Sequence, residues 1–121
     1  MKNILTKSIH NKPNKRDGVR ICVMRRIRPE YKFHIWMPEL APPEKLLKQY
    51  IIAKNINWEE FSHKYTQEVL SKKRIKHIIK TLIFMSQLEN ITLLCSENSA
   101  RYCHRSLIIK ECSKQTNTLV G

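Results

Sequence analysis

Two thiols, an imidazole and two guanidinium groups crowd into one short segment, Cys95-Ser-Glu-Asn-Ser-Ala-Arg-Tyr-Cys103-His104-Arg105. A thiolate, not a thiol, is the nucleophile, and cations or a helix start close to the sulfur favour it. Cys103 has His104, Arg101 and Arg105 beside it, so its proton is expected to be held loosely. Cys95, Cys103 and His104 are therefore the candidate catalytic groups. Other chemistries compete for the same residues. Cys95 to Arg101 has the C-x5-R spacing of a phosphate cradle, in which a thiolate and a guanidinium clamp an oxyanion. Cradles of that kind turn backbone N–H groups inward and usually use glycine to do so, and residues 96–100 contain none. Thiolate and imidazole are also zinc ligands, but adjacent helical residues point about 100° apart, and no C-x-x-C or H-x-x-x-H pair completes a tetrahedron. No bound metal and no cofactor are expected. The structural alternative is that both cysteines act as small buried hydrophobes, as Cys22 and Cys112 do on this reading.

Such a segment needs elements to position it. Residues 91–95, Ile-Thr-Leu-Leu-Cys, form a short unbroken apolar run, which predicts a strand buried on both faces. A helix capped by Ser99 or a near neighbour should follow through Glu111, turning Leu107, Ile108 and Cys112 inward. A thiol at such a strand-to-helix crossing would sit where α/β folds collect their ligands, above the carboxyl ends of the strands. Residues 3–8 predict an edge strand, and the turn formers of residues 11–18 a reversal. Residues 19–24 predict a second buried strand. Helices are expected from Pro43 to about residue 53, from the N-cap Asn57 with Glu60 three residues on to about residue 70, and over residues 72–87. The order β, β, α, α, α, β, α describes an α/β fold: a small, largely parallel sheet flanked by helices, in a single domain.

Composition sets the partners. The 121 residues carry 23 Lys and Arg against 10 Asp and Glu, a formal charge of +13 that favours anionic partners, a small molecule or a nucleic acid. Residues 1–28 hold nine of the basic side chains and one Asp, and residues 71–80 hold five more. In Arg25-Arg-Ile-Arg-Pro-Glu-Tyr-Lys-Phe-His34 the cations alternate with aromatic rings, as in segments that pair phosphates and stack bases. Arg26, Arg28, Lys72, Lys73, Arg74 and Lys76 are thus candidate nucleic-acid contacts. The competing reading is a solvated loop and a wet helix face. No apolar run reaches the roughly 18 residues of a membrane span, and the first residues lack the apolar core of a secretion signal. The chain is expected in the cytoplasm, with its four cysteines as free thiols. Two glycines exclude flexible linkers, and the length excludes repeat arrays and multidomain enzymes. Composition leaves the oligomeric state open.

Three blocks together resemble the family known as domain of unknown function 488, which includes the YeaO-like proteins. Asp17-Gly-Val-Arg-Ile-Cys-Val-Met-Arg25 is similar to its D-G-x-R opening strand. Trp36-Met-Pro-Glu-Leu-Ala-Pro and Trp58-Glu-Glu-Phe-Ser-His-Lys-Tyr65 resemble its W-x-x-E-L-A-P and W-E-E-F-x-x-x-Y segments. Thr92-Leu-Leu-Cys95 with Cys103-His104-Arg105 resembles its L-L-C…C-H-R signature. The match spans about residues 17–112. It implies a cytoplasmic α/β domain and points to Arg20, Arg25, Cys95, Cys103, His104 and Arg105 as site positions, with Arg20, Arg25, Arg101 and Arg105 the candidate anion contacts overall. YeaO-like members tend to carry Asp where Met24 stands and a W-P-R-G stretch near residues 27–29, so no acidic role transfers to position 24. The resemblance supplies no reaction. Two functions remain: a cysteine-dependent enzyme acting on an anionic substrate, and a non-catalytic nucleic-acid-binding or interaction domain.

Overall fold

The strand at the centre of the sheet is the one with the most continuous apolar sequence. In the computed structural model, which describes residues 3–120, all five residues of Ile91–Cys95 are buried. Numbered in chain order, the strands are β1 (Ile4–Ser8), β2 (Val19–Cys22), β3 (Ile35–Trp36) and β4 (Ile91–Cys95). They form one four-stranded sheet in the order β1-β4-β2-β3, every pair parallel. The helices are α1 (Glu44–Leu47), α2 (Trp58–Tyr65), α3 (Lys73–Leu88) and α4 (His104–Val120). The molecule is thus a single small α/β domain with a parallel sheet, as the sequence indicates. Parallel strands need long crossovers, and the chain between β3 and β4 supplies three helices. α3 and α4 pack against each other and both touch β4. Ile21, Leu93, Ile79, Leu82 and Ile108 are fully buried between sheet and helices. Each is worth about 1.5–3 kcal/mol relative to an exposed side chain.

β2 is anchored at its start by charge and by a close approach. Gly18 has φ +62°, and a Cβ there would lie 1.9 Å from the Asn90 carbonyl oxygen, so only glycine fits. Next to it, the buried Asp17 carboxylate meets Arg20 at 2.6 Å and Lys7 at 3.1 Å. Burial alone would raise the Asp17 pKa, but the Asn14 N–H and the two cations outweigh it and hold the group below its usual value. Asn57 caps α2, its side chain accepting from the Glu60 N–H at 2.8 Å.

Several boundaries differ from those the sequence predicts, each for a local reason. β3 is a two-residue strand, too short to show a period, next to the expected basic loop. α1 passes directly into a π-helical turn, Lys48–Ile52, and α2 into another, Thr66–Leu70. These turns continue the helical path while widening it, which hydrophobic spacing does not register. The last helix begins five residues beyond Ser99 and runs past Glu111. The Ser99 hydroxyl accepts from the Arg101 N–H inside the preceding loop and does not cap a helix.

Candidate functional site

β4 ends at Cys95, and the loop of residues 96–103 carries the chain back to the start of α4. The side chain that organises this loop is Arg105, fully buried in the first turn of α4. Its Nη1 donates to the Lys7 carbonyl at 2.7 Å, and its Nη2 to those of Glu97 and Ser99 at 2.8 and 3.0 Å. Its Nε donates to Cys103 Sγ at 3.3 Å. One guanidinium thus ties the end of β1, the loop and the thiol together. β2 places the imidazole: His104 Nε2 lies 2.8 Å from the Val23 carbonyl, which only accepts, so Nε2 carries a proton and Nδ1 faces Cys103 Sγ at 3.5 Å. Tyr65 meets the same ring edge-on at 5.7 Å, its hydroxyl fixed by donation to the Leu40 carbonyl.

Cys103 therefore has the Arg105 guanidinium donating on one side, the His104 ring on another and the Cys95 thiol close by. The Cys95 thiol donates to its sulfur and lowers its pKa most, burial opposes this, and His104 and the Arg105 N–H add to the lowering. The result is a thiolate held well below the ordinary thiol range. Cys95 moves the other way, raised by donating to Cys103 and by burial. Burial also pushes the Cys112 thiol up to about 12, as suits a core residue, and raises that of Cys22. The pair is thus differentiated into an ionised sulfur and a protonated neighbour.

The Cys95 and Cys103 sulfurs and a ring nitrogen of His104 all lie within 4.8 Å of one another. The divergence expected of adjacent helical residues does not arise, because Cys103 precedes the helix and only His104 lies in it. Three ligand atoms could thus reach a soft cation such as zinc. Such a cation would compete with Arg105, which already supplies the sulfur with a positive partner. The thiols form part of the wall of a cavity of about 340 Å³, within the range of small-molecule sites. Tyr50, Phe61 and Tyr102 supply its aromatic side, and Arg25, Glu44 and Lys48 its polar rim.

The chain matches the family model described as the active DUF488-N3 subclade over residues 4–116. It belongs to the DUF488 family. No curated protein and no solved structure matches it.

Within this DUF488 chain the sequence candidates separate. Cys95, Cys103, His104 and Arg25 line the cavity, and Arg105 lies behind the thiol with its donors engaged by the protein. Arg20 does not join them. It pairs in register with Thr92, three residues short of Cys95, and is held by Asp17 and the Lys32 carbonyl. The D-G-x-R block therefore builds a strand start. Arg101 is exposed, its guanidinium 5.2 Å from the Tyr102 ring centre, and is not among the cavity residues, so the C-x5-R pair does not close on one site. Arg26 lies at the rim, paired with Glu44 at 3.1 Å, and Arg28 is an exposed loop residue. Lys72, Lys73, Arg74 and Lys76 are exposed around the start of α3, away from the cavity lining, with Arg74 3.5 Å from Glu39. Sequence reasoning missed the Val23 carbonyl and the aromatic wall. Tyr50 falls on the inner face of one helical stretch and Phe61 on that of the next, and nothing local distinguishes a ring that faces a cavity from one that faces a core.

Proposed function

We propose that the protein is a cysteine-dependent enzyme in which Cys103 attacks an electrophilic centre of an anionic small molecule bound in the cavity. The observation that carries this reading is the convergence of Cys95, His104 and Arg105 on one sulfur that opens onto that cavity. In it the Cys103 proton passes to His104 Nδ1, and the sulfur bonds to the electrophilic centre. The leaving group departs with the electron pair of the bond broken and takes up that proton, and Cys95 and Arg105 hold the thiolate ready. The description of the matched subclade as active accords with an intact set of reacting groups. A thiol site of this kind works where thiols stay reduced, which supports a cytoplasmic setting. No helix of the described residues is long and apolar enough to cross a membrane. The test is alkylation of the folded protein by iodoacetamide across pH, with the modified residue located by mass spectrometry. Cys103 should react first, with a rate still near its plateau at neutral pH. An inert Cys103, or one that titrates near the ordinary thiol value of about 8.5, would overturn the proposal.

A second reading, a nucleic-acid-binding module, has one specific observation in its favour. Lys72, Lys73, Arg74 and Lys76 crowd the N-terminal end of α3, where cations oppose the helix dipole at a cost of roughly 0.3–1 kcal/mol each. An arrangement that costs stability fits a surface kept for binding phosphate.

A further inference from the structure

The cavity beside Cys103 has two chemically different sides. One is aromatic: the Tyr50 and Phe61 rings stack at 4.6 Å, and Tyr102, more than half exposed, stands near them at the opening. The other is the rim, where three cations are not equivalent. Arg26 and Lys48 share the Glu44 carboxylate at 3.1 and 3.8 Å, so their charge is partly answered. Arg25 is pinned to the Pro42 carbonyl through Nε and Nη2, at 3.1 and 3.0 Å, and no carboxylate among the described residues pairs with it. A guanidinium fixed in place, with Nη1 left over and no counter-charge, is preorganised for an anion. The floor is the wrong place for that anion, because the Cys103 thiolate would repel it.

We infer that the cavity takes a mononucleotide, with its base against Tyr50 and its phosphate at Arg25. The inference rests on reading this cavity as the functional site, and it names the ligand class and two residues that select it. Stacking needs only a π face, so the wall accepts any base, while the guanidinium requires the phosphate. A body of that size suits 340 Å³, whereas a double helix does not enter.

The experiment measures binding to the full-length Cys103→Ser protein by calorimetry, so that no chemistry is needed. The probes are adenosine, cytidine and their 5′-monophosphates, inorganic phosphate, and a 5′-phosphorylated single-stranded tetranucleotide. Each monophosphate should bind at least tenfold more tightly than its nucleoside or phosphate alone. Arg25→Gln, which keeps a donor for Pro42, should remove that advantage and leave the nucleoside unchanged. Tyr50→Leu should weaken nucleoside and nucleotide alike. Equal affinity for phosphate and nucleotide, or an Arg25→Gln variant with undiminished nucleotide affinity, would overturn the inference. Tighter binding of the tetranucleotide would identify a strand end as the source of the same base-plus-phosphate unit, and equal or weaker binding a free nucleotide. If the variant protein binds nucleotide while wild-type Cys103 proves inert to alkylation, the enzyme reading falls and the ligand site stands. A reactive Cys103 with no nucleotide binding gives the opposite result.

Discussion

Cys103 and Cys95 are two chemically identical side chains made unlike by their surroundings, eight positions apart in the chain. The same proximity that lowers the pKa of one raises that of the other, so the two sulfurs favour opposite protonation states. Proximity and inequality are also what a disulfide requires: a thiolate to take up the oxidant and a second thiol within reach. With hydrogen peroxide, the Cys103 sulfur is oxidised to the sulfenic acid while peroxide is reduced to water. Cys95 then displaces a second water to form the S–S bond. Peptide mapping after brief peroxide treatment should find a Cys95–Cys103 bond, with Cys22 and Cys112 still reduced in the folded protein. Stable sulfinic acid on Cys103 with Cys95 free would show that the two sulfurs do not meet.

Among the elements, β2 shows how a strand can be set by its first residues. Asp17, Gly18 and Arg20 join the start of β2 to β1 through Lys7 and to β4 through Thr92, whose hydroxyl donates to the Asp17 carbonyl at 2.7 Å. Replacing Asp17 by Asn leaves the buried Arg20 and the half-buried Lys7 without their counter-charge, and should cost about 3–5 kcal/mol in urea unfolding at neutral pH. The pH dependence has a definite sign. A carboxylate whose folded pKa is lowered contributes stability above its unfolded value near 3.8 and loses it as pH falls through the lower folded value. The gap between wild type and Asp17→Asn should therefore be widest above about pH 5 and close on acidification. A gap that stays constant on acidification to about pH 2 would mean that the carboxylate's charge contributes nothing.

Over the whole molecule, the charge excess divides between two jobs that can be separated experimentally. Part of it is internal, in Lys7, Arg20 and Arg105, and holds the strands and the loop. Lys72, Lys73, Arg74 and Lys76 lie outside at the start of α3, where the binding-module reading puts its phosphate contacts. Reversing these four to Glu should reduce affinity for single- or double-stranded DNA and RNA. It should also flatten the salt dependence, by about 0.9 in log–log slope for each duplex phosphate that is no longer neutralised. The Cys103 alkylation rate should not change. Unaltered nucleic-acid affinity in the variant, or none in the wild type at physiological salt, would discard the binding-module reading and leave the thiol site untouched.

Much of this architecture is readable in residue order, because the forces that make it are local or periodic. The unbroken apolar run of residues 91–95, the inner stripe of α3 and the Asn57 cap each depend on neighbours within a few positions, and each element forms where those patterns fall. The Cys…Cys-His-Arg cluster is likewise visible, since its members are close in sequence. The role of each cation, and the meeting of groups distant along the chain, came from tertiary packing alone. Arg20, Arg101 and Arg105 look alike in the sequence, yet one is buried against Asp17, one lies over an exposed ring and one supports the thiolate. That difference depends on which backbone carbonyls and carboxylates the packed strands bring near, as Val23 reaches His104 across 81 positions. The cavity follows the same rule: a ring becomes a wall only when the packing of other elements leaves space in front of it.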